Sequence, residues 1–222
     1  MITSGSRGSG KSAVCTPSPF MASRSGCWLR YVKAALGTAL LLVSVSFGVL
    51  TWAEASTPCP PAAVEILEDA NLLPALLSMV HAAKKQIWIG TYHFKAGVHP
   101  RSAPDRLAHE LIRASNRGVE VVVVLDRPDD PHSEQAVENR RTAALLERGG
   151  VKVYMDGPKR RSHMKVAVVD GRFAIVGSHN LTRSGLRENH EVSLKVDSPC
   201  VAERILSYLK RIAREGGGLR TT

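Results

Sequence analysis

Aromatic side chains are scarce, at 5% of 222 residues, which leaves little material for a surface built mainly on base stacking. Glycine and proline, 18 and 12 residues, are too few for collagen-like or low-complexity sequence. An apolar content of 44% excludes a wholly disordered chain. No internal repeat is visible. Cysteine is rarer still: Cys15 and Cys27 lie near the N-terminus, and only Cys59 and Cys200 lie beyond it. In an oxidising compartment that last pair either bridges or stays as two thiols. A bridge would tie the start of the body to the region before the final helix.

Positive charge is what the chain has in excess. The formal net charge is +10, and residues 56–222 keep 25 basic against 19 acidic residues, a net +6. Such a body suits an anionic partner. Charge alone does not choose between nucleic acid and a membrane surface.

Residues 34–50 (AALGTALLLVSVSFGVL) carry no charge, follow Arg30 and Lys33, and precede Ala53-Glu54-Ala55. A basic flank, an apolar run and an A-x-A site are the parts of a secretory signal peptide, with cleavage expected after Ala55. The run is short for a membrane span, and retention as a single-pass N-terminal anchor is the alternative. The expected location is therefore exported, periplasmic or secreted, or else tethered to a membrane. The first twenty residues are long for an n-region, and Met21 is a better-placed start. Gly5 to Ser12 fits G-x-x-x-x-G-K-S by letter. No apolar strand precedes it and Pro17 and Pro19 interrupt the following helix, so nucleotide binding is rejected.

From Ala63 onward the segments alternate in type. Val64–Leu67 is a short apolar run, 71–85 reads as a helix with Pro74 in its first turn, and Gln86–His93 is rich in strand formers. A helix over 104–117 closes at Gly118 and leads to the buried strand 119–126. A helix over 133–148 ends at Gly149-Gly150. Strands follow at 151–155, 164–169, 173–176 and 191–196, with Asp170-Gly171 as a hairpin turn, and a helix over 198–214 closes the body. This order predicts an α/β fold, a mixed β-sheet sandwiched between helices, in one domain over 56–222. Lys95–Ala103 and Arg127–His132 are the long irregular connections, of the kind that borders sites.

The chemistry-bearing stretch is His163-Met164-Lys165 through Asp170, then Gly177-Ser178-His179-Asn180. Period-2 geometry puts His163, Lys165 and Ala167 on one strand face. The next strand returns beside it and ends in a glycine, for close backbone approach to a ligand, with Ser178 and Asn180 as neutral hydrogen-bonding groups. A nucleophile, a cation and neutral donors suit a phosphoryl group. No carboxylate cluster accompanies them to hold a metal.

H-x-K-x-x-x-x-D followed by x6-G-S-x-N resembles the signature of the phospholipase D superfamily, and the similarity extends over about 63–212. The single copy is similar to the short nuclease-like branch, whose identical subunits meet across a two-fold axis. The resemblance implies a homodimer supplying His163 twice. It further implies phosphodiester cleavage without metal or other cofactor. One His163 attacks phosphorus, its counterpart protonates the leaving oxygen, and water then releases the phosphohistidine. Lys165 and Asn180 would hold the non-bridging oxygens, with Ser178 assisting. Glu191 falls where the family places a carboxylate that orients the histidine. Asp170 joins the catalytic set only through the family motif, since its turn position looks structural.

Other residues carry weaker signals. Lys159, Arg160 and Arg161 are either a solvated loop or a grip on flanking phosphates. His93 suits packing more than substrate contact. His99, His109, His132 and His190 share no ligand spacing, and His179 holds a variable motif position. The leading expectation is an endonuclease or phosphodiesterase acting on DNA or RNA. The alternatives are a phospholipase D-type hydrolase of phosphatidyl or cardiolipin lipid, favoured if residues 34–50 remain as an anchor, and a catalytically idle nucleic-acid-binding protein.

Overall fold

The computed structural model describes residues 58–157 and 160–216. The leader, its P-loop-like run, Cys15, Cys27 and Lys159 lie outside the described residues. Seven strands form one sheet: β1 (Ala63–Glu68), β2 (Gln86–Thr91), β3 (Glu120–Leu125), β4 (Lys152–Met155), β5 (Lys165–Val169), β6 (Phe173–Gly177) and β7 (Val192–Asp197). The helices are α1 (Leu72–Ala82), α2 (Ala103–Asn116), α3 (Glu134–Arg148), the short α4 (Arg183–Arg187) and α5 (Pro199–Gly216). The strand order is β1-β7-β6-β5-β2-β3-β4. β2, β3 and β4 run parallel, and every other pairing is antiparallel. The sheet is mixed and sandwiched between helices, as the alternation of segments predicts.

Local sequence explains the elements. β3 reads EVVVVL and is buried along its last five residues, because a central strand covered on both faces needs no polar alternation. α1 buries Leu72, Leu73, Leu76, Leu77, Met79 and Val80. Ser102 caps α2 by accepting from the Asp105 N–H at 3.3 Å, and Ser133 caps α3 by accepting from Ala136 N–H at 3.3 Å. One core lies between the sheet and α1 to α4, where Ile87, Ile89, Val121, Val123, Ala167 and Ile175 point. The other lies under α5, against Trp88, Val122, Val124, Val168 and Ala174. The helix α4 was not anticipated: a single turn capped by Thr182 leaves no periodic trace in sequence.

α5 leaves one corner of its face bare. Ile66, Leu194 and Val176 lie directly across three strands, with Val64 and Val192 two residues along. Their exposures are 63%, 40%, 41%, 55% and 50% respectively. Cys59 and Cys200 form a disulfide across 141 residues of sequence, joining the segment before β1 to the start of α5.

Asp170 holds the hairpin to the rest of the sheet. It sits at a φ of 54° with Gly171 at 65°, a two-residue turn with both angles positive, as Asp-Gly favours. Its carboxylate accepts from the N–H groups of Lys84, Lys85 and Gln86 at 2.9, 2.8 and 3.0 Å, fixing the entry to β2. Partial burial pushes its pKa up, but the three N–H donors outweigh it and leave the group below the ordinary 3.8. A depressed folded pKa means the contribution is present above the ordinary carboxyl value and is lost as pH falls through the depressed one. Asp170→Asn is expected to cost about 1–2 kcal/mol at neutral pH. In paired urea melts the gap from the parent protein should close at strongly acid pH; an equal gap at both pH values would refute this account.

Candidate active site

The site forms at the edge of the sheet where β2, β3 and β6 end and β5 and β7 begin. Thr91 pairs with Lys165, the last rung of the β2–β5 ladder. Beyond it, Tyr92 N–H donates to Met164 C=O at 2.9 Å, and Asp126 N–H to Thr91 C=O at 3.2 Å. The segment before β5 is held from below: Ser162 N–H donates to Asp126 Oδ1 at 2.7 Å, and Gln135 donates to the same carboxylate at 3.1 Å. Burial pushes the Asp126 carboxyl above its ordinary value against those two hydrogen bonds. These contacts leave His163 exposed, one residue past an anchored Ser162.

The His163 ring lies 4.6 Å from the Tyr92 ring, centroid to centroid, inclined at 55°. Lys165 Nζ donates to the His163 carbonyl at 2.9 Å and stands 5.0 Å from the centre of the same Tyr92 ring. Desolvation lowers the Lys165 pKa, while the charges of Glu191 and Asp126 work to raise it. Ala167, the next residue on that face, is already core, so Lys165 is the last strand position able to reach a ligand.

Across the hairpin, Ser178 donates its hydroxyl to Glu191 Oε2 and accepts from Val192 N–H at 3.1 Å. Asn189 donates to Glu191 Oε1 at 3.0 Å. Burial pushes the Glu191 carboxyl up, but these two donors and the Lys165 charge bring it below its ordinary value. Within one chain Glu191 thus grips Ser178 and Asn189, not the His163 ring nitrogen that the family resemblance implies. The Asn180 Oδ1 is buried without a hydrogen-bond partner among the described residues, an acceptor that only a donor can satisfy.

Two motif positions serve the scaffold. A Cβ on Gly177 would collide with Ser193, so this glycine admits β7 and not, as sequence suggests, a ligand. His179 is buried, with Nε2 2.9 Å from Asp69 C=O and Nδ1 2.7 Å from Ser193 Oγ. A carbonyl only accepts, so Nε2 carries the proton and Nδ1 receives the serine hydroxyl. The ring bolts the Ser178–Asn180 loop to β7 and to the turn before α1. Asp170 is at the opposite end of β5 from His163; the structure assigns it to the hairpin and not to the reacting centre, which corrects its place in the catalytic set.

Arg160 and Arg161, just before His163, line a surface cavity of about 450 Å³ with Tyr208, Arg211 and the carboxylates of Asp156 and Glu215. His93 is committed to packing: its Nε2 lies 2.7 Å from Glu138 Oε2 on α3. Tyr92, Asp126 and Asn189 escaped the sequence reading. The position of Asp126 at the carboxyl end of a parallel strand, where α/β sheets gather ligands, was the available clue. No group of three or more His, Cys, Asp or Glu side chains is arranged to hold a metal among the described residues.

With this geometry in view, comparison with known proteins gives a consistent result. The family described as cardiolipin synthase, PLD-like domain, matches residues 76–213. Cardiolipin synthase A of Proteus mirabilis is 31% identical over 130 residues, 58% of this chain and 24% of that protein. Its counterpart in Serratia proteamaculans is 33% identical over 125 residues, 55% and 24% of the two chains. The chain spans about a quarter of the length of these curated relatives. Among solved structures, Nuc of Salmonella typhimurium, a phospholipase D family member, superposes with a TM-score of 0.61 at 22% identity, covering 72% of this chain and all of that one. Phosphatidylserine synthase of Haemophilus influenzae gives 0.56 at 19% identity, over 75% and 42%. The motif, the mixed sheet and a family match over more than half of the sequence agree: the chain belongs to the PLD-like domain family of the phospholipase D superfamily.

Proposed function

We propose that this protein is a phosphodiesterase that cleaves DNA or RNA through a phosphohistidine, at a site completed by two copies of the chain. The observation that carries the reading is His163, exposed against Tyr92 beside Lys165, with Asn180 across the hairpin. In this reading one His163 attacks phosphorus as the other gives a proton to the leaving oxygen. That second imidazole then takes a proton from water, which displaces the first from phosphorus. Lys165 and Asn180 hold the non-bridging oxygens as charge builds. Ser178, whose one hydroxyl proton goes to Glu191, ties that carboxylate to the loop that carries Asn180. The net +6 of residues 56–222 and the Arg160–Arg161 pair beside His163 support a polyanionic substrate. The intact His163, Lys165 and Asn180 speak against an idle binding protein.

A second copy is supported by the bare corner of the sheet. Five large apolar side chains cluster there, and Val192 and Val176 adjoin Glu191 and Ser178. A two-fold partner seated on this corner would cover the patch next to the site and supply the second imidazole. The Cys59–Cys200 bridge supports export to an oxidising compartment, with residues 1–55 as signal peptide or anchor.

The cardiolipin synthase relatives favour a second reading, hydrolysis or transfer on a phosphatidyl lipid. The purified protein should degrade plasmid DNA or RNA in EDTA and leave phosphatidylglycerol and cardiolipin vesicles intact. His163→Asn should abolish turnover while keeping nucleic-acid affinity within a few-fold. Strict dependence on added Mg²⁺, or lipid turnover alone, defeats the reading. Ile66→Glu with Leu194→Glu should convert a sedimenting dimer to an inactive, folded monomer; a fully active monomer rules out the shared site.

A further inference from the structure

On the face covered by α1 to α4, away from the Arg160–Arg161 cavity, lies a second basic hollow. Its volume is about 390 Å³, and Lys95, His99, Arg101, Arg183 and Arg187 line it with no carboxylate among the lining residues. It adjoins the site through the backbone. Lys95 N–H donates to Leu181 C=O at 3.0 Å, and Leu181 directly follows Asn180. Two residues of chain, Leu181 and Thr182, separate Asn180 from Arg183, so their Cα atoms lie within about 11 Å.

The cations here are not equally occupied. Lys95 Nζ is 2.5 Å from Glu138 and 3.1 Å from Glu134, and Arg183 pairs with Glu188 at 2.8 Å. Arg101 and Arg187 are exposed and have no ion-pair partner among the described residues. The nearby Asp105 carboxylate is buried and turned inward, accepting from Gly97 N–H and from the Ser102 hydroxyl. Two uncompensated guanidiniums therefore face a concavity whose other cations are already fixed in place. Guanidinium is the group best shaped to fork onto a phosphate.

We infer that this hollow is a second phosphate subsite, which grips the backbone of a polynucleotide at a phosphate displaced from the one at His163. The inference rests on the nucleic-acid reading above and deepens it. With Arg160 and Arg161 before His163 and Arg101 and Arg187 beyond Asn180, cations flank the reacting position on two sides. A polymer has phosphates to meet both. The hollow's apolar lining is confined to Pro100, Ala103 and Pro104, which offers an acyl chain little to bury against.

The test uses the full chain carrying His163→Asn, so that binding is read without turnover. A fluorescent 20-mer oligonucleotide is titrated in EDTA over a series of salt concentrations. Adding Arg101→Glu and Arg187→Glu should weaken Kd at least about ten-fold and flatten the log K against log salt slope by about 1.4, two phosphate contacts on a single strand. The thermal midpoint should stay unchanged, and the paired Arg→Lys variant should recover most of the affinity. Arg148→Glu, one such charge reversal at the far end of α3, should leave Kd within two-fold. Binding of the double Glu variant within two-fold of the parent overturns the subsite, as does equal weakening by Arg148→Glu. If the parent binds cardiolipin vesicles and no oligonucleotide, the nucleic-acid reading fails and the subsite falls with it.

Discussion

The antiparallel seam between β2 and β5 is the contact on which the rest of the molecule depends. On one side of it lie three parallel strands with their crossover helices; on the other lies an antiparallel meander closed by β1. The seam ends at Thr91 opposite Lys165. Past that rung the two chains part, one as Tyr92 and the other as Met164 and His163. A slip of one residue would turn Lys165 toward α5 and bury Ala167 on the wrong face. The register is guarded at both ends: Asp170 clamps the entry of β2 at one, and Asp126 holds Ser162 at the other. Two carboxylates, one at each end of the seam, thus set where the imidazole stands.

Charge at the site is arranged to be incomplete. Lys165 is partly desolvated, Glu191 is spent on Ser178 and Asn189, and Asn180 keeps an oxygen without a partner. A surface built for stability alone would close these gaps. In the proposed reading a phosphate would bring acceptors to Lys165 and to the Asn180 amide nitrogen, while the Asn180 oxygen calls for a donor such as water or a hydroxyl. Placing the carboxylate on Ser178 rather than on His163 leaves the imidazole free within its own chain. Its orientation then comes from Tyr92 and from whatever stands opposite.

The fold was legible because patterns of two kinds agreed. Apolar spacing marked α1 and α5, and the unbroken valines of β3 announced a strand covered on both faces. The Asp-Gly turn located the hairpin. The site was legible only in its motif letters, and the letters do not say what each residue touches. Gly177 reads as a ligand-side position, yet it is small to admit Ser193, and His179, a variable motif position, is bonded to Ser193 and Asp69. Tyr92, Asn189 and Asp126 reach the site through tertiary approach alone, and one turn of helix at α4 is too short to show a period. The cations at 95, 101, 183 and 187 are dispersed over ninety residues, and only the fold gathers them.

The choice between polymer and lipid turns on what surrounds a reaction centre that would serve both. A phosphatidyl headgroup needs one phosphate site and a broad apolar surface continuous with the bilayer. Among the described residues the exposed apolar cluster is the β1–β7–β6 corner, set on the side of the sheet opposite Lys165. Cations, by contrast, border the site along the chain on both sides. On the proposed reading, a polymer running across the strand ends would meet them in sequence.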